Sequence, residues 1–211
     1  MSKFNNYAKR MNEIANAAFA EYREKEAAVK SAESRYNAYP RRNGADPAYM
    51  AKSARAEADL AEARNAFDQM RRHLFDDKRR EIAAVRAELE KAVFDAFAAD
   101  PKSVDSNTLA LMNSGILTAA EYNRLIDAST AAGNHTMVRL LAQSAKDRAD
   151  KVNDSDTARE YRLVAQKGKG ANGREFLEAF DYMGDVFNRC ERNFSLAGKW
   201  DELTVPVVES F

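Results

Sequence analysis

Pro40-Arg41-Arg42-Asn43-Gly44-Ala45-Asp46-Pro47 interrupts two stretches that hold neither glycine nor proline, residues 2–39 and 48–100. Both stretches are rich in Ala, Glu, Lys and Arg, the composition of long continuous helices. A short Pro/Gly break between two such runs predicts an antiparallel helical hairpin. Beyond Asp100-Pro101 the runs shorten and breakers recur. The expected fold is therefore all-α. Residues 1–100 form a long antiparallel helical hairpin, a coiled-coil stalk. Residues 101–200 form a compact C-terminal helical bundle, the head, and residues 201–211 an extended tail.

The first arm carries Phe4, Tyr7, Met11, Ile14 and Ala18 at alternating steps of three and four, a heptad seam. After a four-residue slip, a stutter, Tyr22, Val29 and Tyr36 continue at sevens, with Ala32 and Tyr39 beside them. The second arm repeats the spacing with Leu60, Phe67 and Leu74, then with Ile82, Val85, Leu89, Ala92 and Ala96. Alanine-rich seams allow close approach but bury little area, at ~25 cal/mol per Å². Such a seam calls for a further partner, either the rest of this chain or another copy. At 1.5 Å per residue the arms span roughly 55 Å and roughly 80 Å. The overhang of the second arm, residues 85–99, broadens its apolar face with Val85, Leu89, Val93, Phe94 and Phe97. A broadened face is what a helix shows on entering a globular core, so the bundle is expected to dock there.

In the C-terminal half a helix over 105–113 carries Leu109, Leu111 and Met112. Thr118 with Glu121 forms a capping box for a helix over 119–131, closed by Gly133. Helices over 135–151 and from Asp154 or Ser155 to 167 present Met137, Val138, Leu140 and Leu141, then Tyr161, Leu163 and Val164. The run Gly168–Gly173 reads as a flexible break. Phe176, Phe180, Met183, Phe187, Cys190 and Phe194 then recur at four, three, four, three and four, the strongest core signal in the chain. The tail Leu203-Thr204-Val205-Pro206-Val207-Val208-Glu209-Ser210-Phe211 is apolar and β-prone, and Pro206 argues against a helix. It is expected to fold back on the head or, by preference, to dock in a partner as an added strand.

Charge and composition narrow the function classes. Of 211 residues, 33 are Lys or Arg and 33 are Asp or Glu, a formal net charge of zero. Bulk attraction to nucleic acid is not expected, and acids interleave with the basic clusters Arg41-Arg42, Arg71-Arg72 and Lys78-Arg79-Arg80. Asp76-Asp77 beside the last of these reads as a solvated face laced with helix-spaced ion pairs. One cysteine, Cys190, leaves no intrachain disulfide and no cysteine-cluster metal site. It lies on the apolar face of the last helix and reads as a buried, inert thiol.

No stretch reaches the ~18–20 apolar residues of a spanning helix, and Met1–Tyr7 lacks a signal-peptide core. His73 and His135 lie in different halves, the first on a charged helix face, the second at a helix start where it caps or meets water. HExxH, CxxC, GxSxG and Walker patterns are missing. Lys167-Gly168-Lys169-Gly170-Ala171-Asn172-Gly173-Arg174 could offer N–H groups to an anion, but no strand precedes it and it lacks GK[ST]. No catalytic residue, metal ligand, cofactor or small-molecule substrate is expected.

Asn107-Thr108-Leu109-Ala110-Leu111-Met112-Asn113-Ser114-Gly115-Ile116-Leu117-Thr118-Ala119-Ala120-Glu121-Tyr122, followed by Asn134-His135-Thr136-Met137-Val138-Arg139-Leu140-Leu141, resembles a module of small helical proteins encoded in bacteriophage structural gene clusters. The shared pattern is a short helix ending in LxNSG, a capped helix and a TMxRL helix. It covers about 40 of the 211 residues and carries over no catalytic residue. The resemblance implies a phage head, neck or scaffold-like assembly component.

The expected function is thus a non-enzymatic virion or assembly protein, in the host cytoplasm or the virion. It would contact itself or a capsid-type protein through seam residues Tyr22, Val29, Tyr36, Leu60, Phe67 and Leu74 and tail residues Leu203, Val205, Val207, Val208 and Phe211. The alternatives are a helical inhibitor or adaptor of a host enzyme, such as an anti-defence protein, and an enzyme with an unrecognised site.

Overall fold

The computed structural model describes residues 3–40 and 46–211. The described chain is all helical, with eight α-helices: α1 (Asn5–Ala38), α2 (Pro47–Phe97), α3 (Ser106–Ser114), α4 (Ala119–Ala131), α5 (His135–Ala149), α6 (Ser155–Gln166), α7 (Arg174–Arg192) and α8 (Trp200–Ser210). Three short 3-10 segments join them. Most of the Pro40–Pro47 break lies outside the described residues, but its flanks do not. The Tyr49 hydroxyl donates to the Pro40 carbonyl (2.9 Å) and the Ser53 hydroxyl to the Tyr39 carbonyl (2.8 Å). Asp46 opens α2 by accepting from the Tyr49 N–H at 3.0 Å. Cross-arm pairs at Glu33–Arg64, Arg35–Asp59 and Tyr22–Phe67 run in opposite sequence directions. The hairpin is therefore antiparallel.

The chain divides into two compact units, Met1–Ala87 with Phe180–Phe211, and Glu88–Ala179. Unit 1 is closed by aromatic packing. Phe19 meets Phe75, Phe187, Phe194 and Trp200 at centroid separations of 5.6–6.5 Å. Phe4, just before α1, leads into the buried stripe Ala8, Met11, Ala15 and Ala18, while Tyr7 and Ile14 are half-exposed. The stripe is rotated from the expected one because α1 faces α7 and α8 as well as α2. Small side chains there admit the bulky ones opposite.

The expected extended tail is not found: residues 200–210 are helical, with Pro206 inside α8. Pro206 removes one N–H from the helix ladder. Burial offsets that loss, since Trp200, Thr204 and Phe211 are all under 5% exposed. The Asn12 side chain accepts from the Trp200 indole (3.1 Å), and Asn5 donates to the Val208 carbonyl (2.8 Å). Both bonds hold α8 against α1.

Unit 2 rests on local stop and start signals. Asp105, Thr118, Asn134 and Asp154 each accept from backbone N–H groups at the starts of α3, α4, α5 and α6, and the Thr118–Glu121 capping box is complete. Gly115 ends α3 in the left-handed conformation (φ 67°). Met112, Leu117, Tyr122, Ile126, Met137, Val138, Leu141, Tyr161 and Val164 form the core. The Gly168–Gly173 break is not a free loop. Lys167–Asn172 is a 3-10 helix pressed against α5, and a Cβ on Gly168 would lie 2.3 Å from that of Ala142. The C-terminal turn of α2 belongs to this unit: Val93 is buried, and Phe97 packs on His135 and Phe176.

Candidate interaction surface

Around Tyr22 the hairpin is built into the unit 1 core, where Tyr22 stacks on Phe194 (3.7 Å, 26°) and meets Phe67 edge-on at 5.2 Å. Further along, the arms pair through Ala32, Ala56 and Leu60, all buried. Leu60 and Leu74, at 6% and 7% exposure, close the seam rather than offering themselves to a partner. Val29, Tyr36 and Phe67 are half-exposed. Tyr36 and Leu60 line a groove of about 540 Å³ with Glu33, Asn37, Glu57, Ala61 and Arg64. The pairs Arg64–Glu33 (2.9 Å) and Arg35–Asp59 (3.6 Å) are exposed to solvent, so they set register more than they add stability. At the end of the hairpin Tyr39 and Tyr49 meet edge-on, and Met50 is 51% exposed. Tyr49 and Met50 escaped the sequence reading, which treated the break as punctuation. Apolar residues immediately beside a breaker were the available signal.

In α8 the expected contact residues divide. Phe211 is buried and Val207 and Val208 are half-buried, while Leu203 and Val205 flank the docked stripe at 37% and 40% exposure. The segment is chiefly core of unit 1.

Unit 2 exposes Phe94, Leu111, Ile116, Leu140 and Leu163. The sequence reading put Phe94 on a broadened apolar face and named Leu111, Leu140 and Leu163 among the apolar residues of their helices. Each directly precedes or follows a buried residue: Val93, Met112, Leu141 and Val164 respectively. Adjacent positions on a helix point about 100° apart, and at these places packing covers one side chain of each pair and leaves the other in water. Leu140 belongs to a groove of about 460 Å³ lined also by Arg139, Ala142, Gln143, Lys146, Ala165, Gly168 and Lys169.

Candidate chemical groups are occupied structurally. Cys190 is buried, and burial pushes its thiol up from the ordinary value. His135 packs against Phe97 with the rings tilted at 45° and 4.4 Å apart, rather than capping or facing water, and the cap comes from Asn134. His73 is exposed on α2. Asp105, Glu121 and Asp154 sit below the usual carboxylate range because Thr108, Thr118 and Thr157 donate to them. The Asp76–Arg80 cluster forms pairs at i,i+3, and Arg79 also reaches Glu191. Among the described residues no group of three His, Cys, Asp or Glu could hold a metal ion, and no helix is long and apolar enough to cross a membrane. Comparison with family models, characterised proteins and solved structures found no match.

Proposed function

We propose that this chain is a non-enzymatic structural or assembly protein that acts through protein–protein contacts, in the class of bacteriophage head-associated components. The observation that supports this most is the outward apolar surface. Half-exposed seam residues, Met50 and exposed Phe94 (72%) lie on regular helices, while Tyr39 and exposed Ile116 (69%) sit just past helix ends. Rigid helices presenting aromatic and aliphatic anchors suit helix-on-helix recognition. The partners are copies of the same chain or a capsid-type protein, in the host cytoplasm or in the particle assembled there.

Light scattering of the purified chain, with co-sedimentation against particles made from capsid-type proteins, tests this. Multimers or particle-bound chain are the expected result. A strict monomer with no affinity for particles sinks the proposal. A one-to-one complex with a single host enzyme would replace it with the inhibitor reading.

A further inference from the structure

Inside unit 1, α2 and α7 leave a slot of about 400 Å³ between them. Arg79, Ala83 and Arg86 share one face of α2, and Asp181, Gly184 and Asn188 share one face of α7, each set at helix spacing. Both ends of the slot are clamped. Arg79 donates to the Asn188 side-chain carbonyl at 3.2 Å and pairs with Asp76 and Glu191. Arg86 holds Asp181 with a two-pronged bond of 2.7 and 3.3 Å. The two clamps are about 10.5 Å apart along α2. Ala83 and Gly184 fall between them, above the buried rings of Phe180 and Phe187. The slot is therefore a built feature of the fold.

Gly184 is the part of it that the fold does not explain. Glycine inside a helix is disfavoured against alanine. Its backbone is helical, so no left-handed turn requires it. Close packing does not require it either, since a Cβ there would meet Met11 Cε alone, at an ordinary 3.9 Å. What the missing side chain does achieve is to keep the slot open.

Charge indicates what fits. The ionised side chains that line the slot, or pair with those that do, are Arg79 and Arg86 against Asp76, Asp181, Asp185 and Glu191. Two bases meet four acids. Asp185 is exposed on the rim and has no hydrogen bond or ion pair among the described residues. An apolar slot with an uncompensated acid at its edge suits a long basic side chain, whose stem covers apolar surface while its charge stays at the rim.

We infer that this slot is a docking hole for a basic side chain of a partner protein, with the stem between Ala83 and Gly184 and the charge on Asp185. The inference rests on the assembly reading and deepens it, by fixing the chemistry of the partner at one point of contact.

An alanine-rich helical peptide with a single central lysine is the probe. The same peptide with norleucine in that place keeps the stem and drops the charge. Each is titrated into the isotope-labelled full chain, and the amide signals of Ala83, Gly184 and Asp185 are followed by NMR. The lysine peptide should move these signals and bind about threefold more tightly than the norleucine peptide, as an exposed ion pair allows. Asp185→Asn should erase that preference. Ala83→Leu fills the slot and should weaken the lysine peptide by about tenfold, with Gly184→Ala acting in the same direction. Gly184→Ala should also raise the thermal midpoint, because the helix gains an alanine and no packing is lost. Ala83 and Asp185 are exposed and Gly184 is half-exposed, so the variants keep the fold, which circular dichroism checks.

Equal binding of the two peptides overturns the inference. So does binding that Ala83→Leu and Gly184→Ala leave untouched, because the peptide then sits elsewhere. A Gly184→Ala chain that melts lower overturns it as well, since the fold itself would need the glycine. None of these results bears on the assembly reading, which stands or falls by light scattering and co-sedimentation.

Discussion

Unit 1 and unit 2 reach a helical core by opposite routes. Unit 1 joins segments nearly two hundred residues apart, as Asn12 meets Trp200 and Asn5 meets Val208. Its helices α1 and α8 have no side-chain cap at their first turns. Unit 2 is one continuous segment whose four shorter helices α3–α6 are each capped by a side chain. Short helices have a costly nucleus and few internal bonds, so end effects decide them. Long or deeply docked helices draw on tertiary burial and tolerate bare ends. The difference teaches where each unit is vulnerable: unit 1 in its rings, unit 2 in its caps and turns.

The largest expected effect is in the aromatic cluster. Phe187→Ala should cost ~3–5 kcal/mol, because Phe187 touches Phe19, Phe75 and Trp200 and is 1% exposed. Trp200 is the chain's one tryptophan and is buried in unit 1, so denaturant melting read by tryptophan fluorescence isolates that unit. Leu141→Ala, in the unit 2 core, should cost ~2–5 kcal/mol. It should displace the circular dichroism transition more than the fluorescence one. Equal displacement of both probes by either variant would show that the two cores melt together and break the contrast.

A smaller loss tests the turn before α7. Gly173 sits at φ 67°, and a Cβ there would lie 2.6 Å from the Phe97 ring and 2.7 Å from Val93. Gly173→Ala should destabilise by ~1–3 kcal/mol, measured by thermal melting. Wild-type stability would mean that the turn relaxes freely. At the next level, Asn134→Ala removes the α5 cap and the bond to the Ser103 carbonyl, a loss of about 1 kcal/mol. Hydrogen exchange at the α5 N-terminus is the direct readout, and unchanged protection there would count against the role given to caps.

The mildest effect is the dependence on pH. Asp105, Glu121 and Asp154 are lowered in the folded state by bonds from Thr108, Thr118 and Thr157. Their folded values lie below their unfolded ones. They therefore add stability above the ordinary carboxylate range, and lose it as pH falls through that range and below. Unit 2 should soften in acid, and Asp154→Asn, which keeps a capping oxygen, should flatten part of that dependence. A profile unchanged by this substitution would remove Asp154 from the explanation.

Legibility followed the same contrast. The starts of α4 and α6 could be read from Thr118 and Asp154 because caps are local grammar, while the α5 cap was looked for at His135, one residue past Asn134. The face of α7 was legible because its phenylalanines recur on one stripe. Helix α8 was not, since Pro206 is a local signal and the burial of Trp200 and Phe211 that overrides it is tertiary. The rotation of the α1 stripe was hidden likewise, because periodicity shows that a face exists but not how many neighbours it serves. Which of two adjacent apolar residues is covered, Leu140 or Leu141, Leu163 or Val164, was not legible, because composition shows apolar residues but not what packs on them. Of the expected contact residues, Leu60, Leu74 and Phe211 proved to be interior, while Val29, Tyr36, Leu203 and Val205 retain exposure.

Because unit 1 is completed by Phe180–Phe211, its N-terminal hairpin leaves the ribosome well before the helices that finish its core. Unit 2 is whole once Ala179 is out. At about 5–20 residues per second, the hairpin waits several seconds after its own synthesis for α7 and α8. During that interval Phe19, Phe75 and Tyr22 lack their last ring neighbours. The nascent chain thus matures from its middle outward, and its alanine-rich first helix must stay soluble until its aromatic partners arrive.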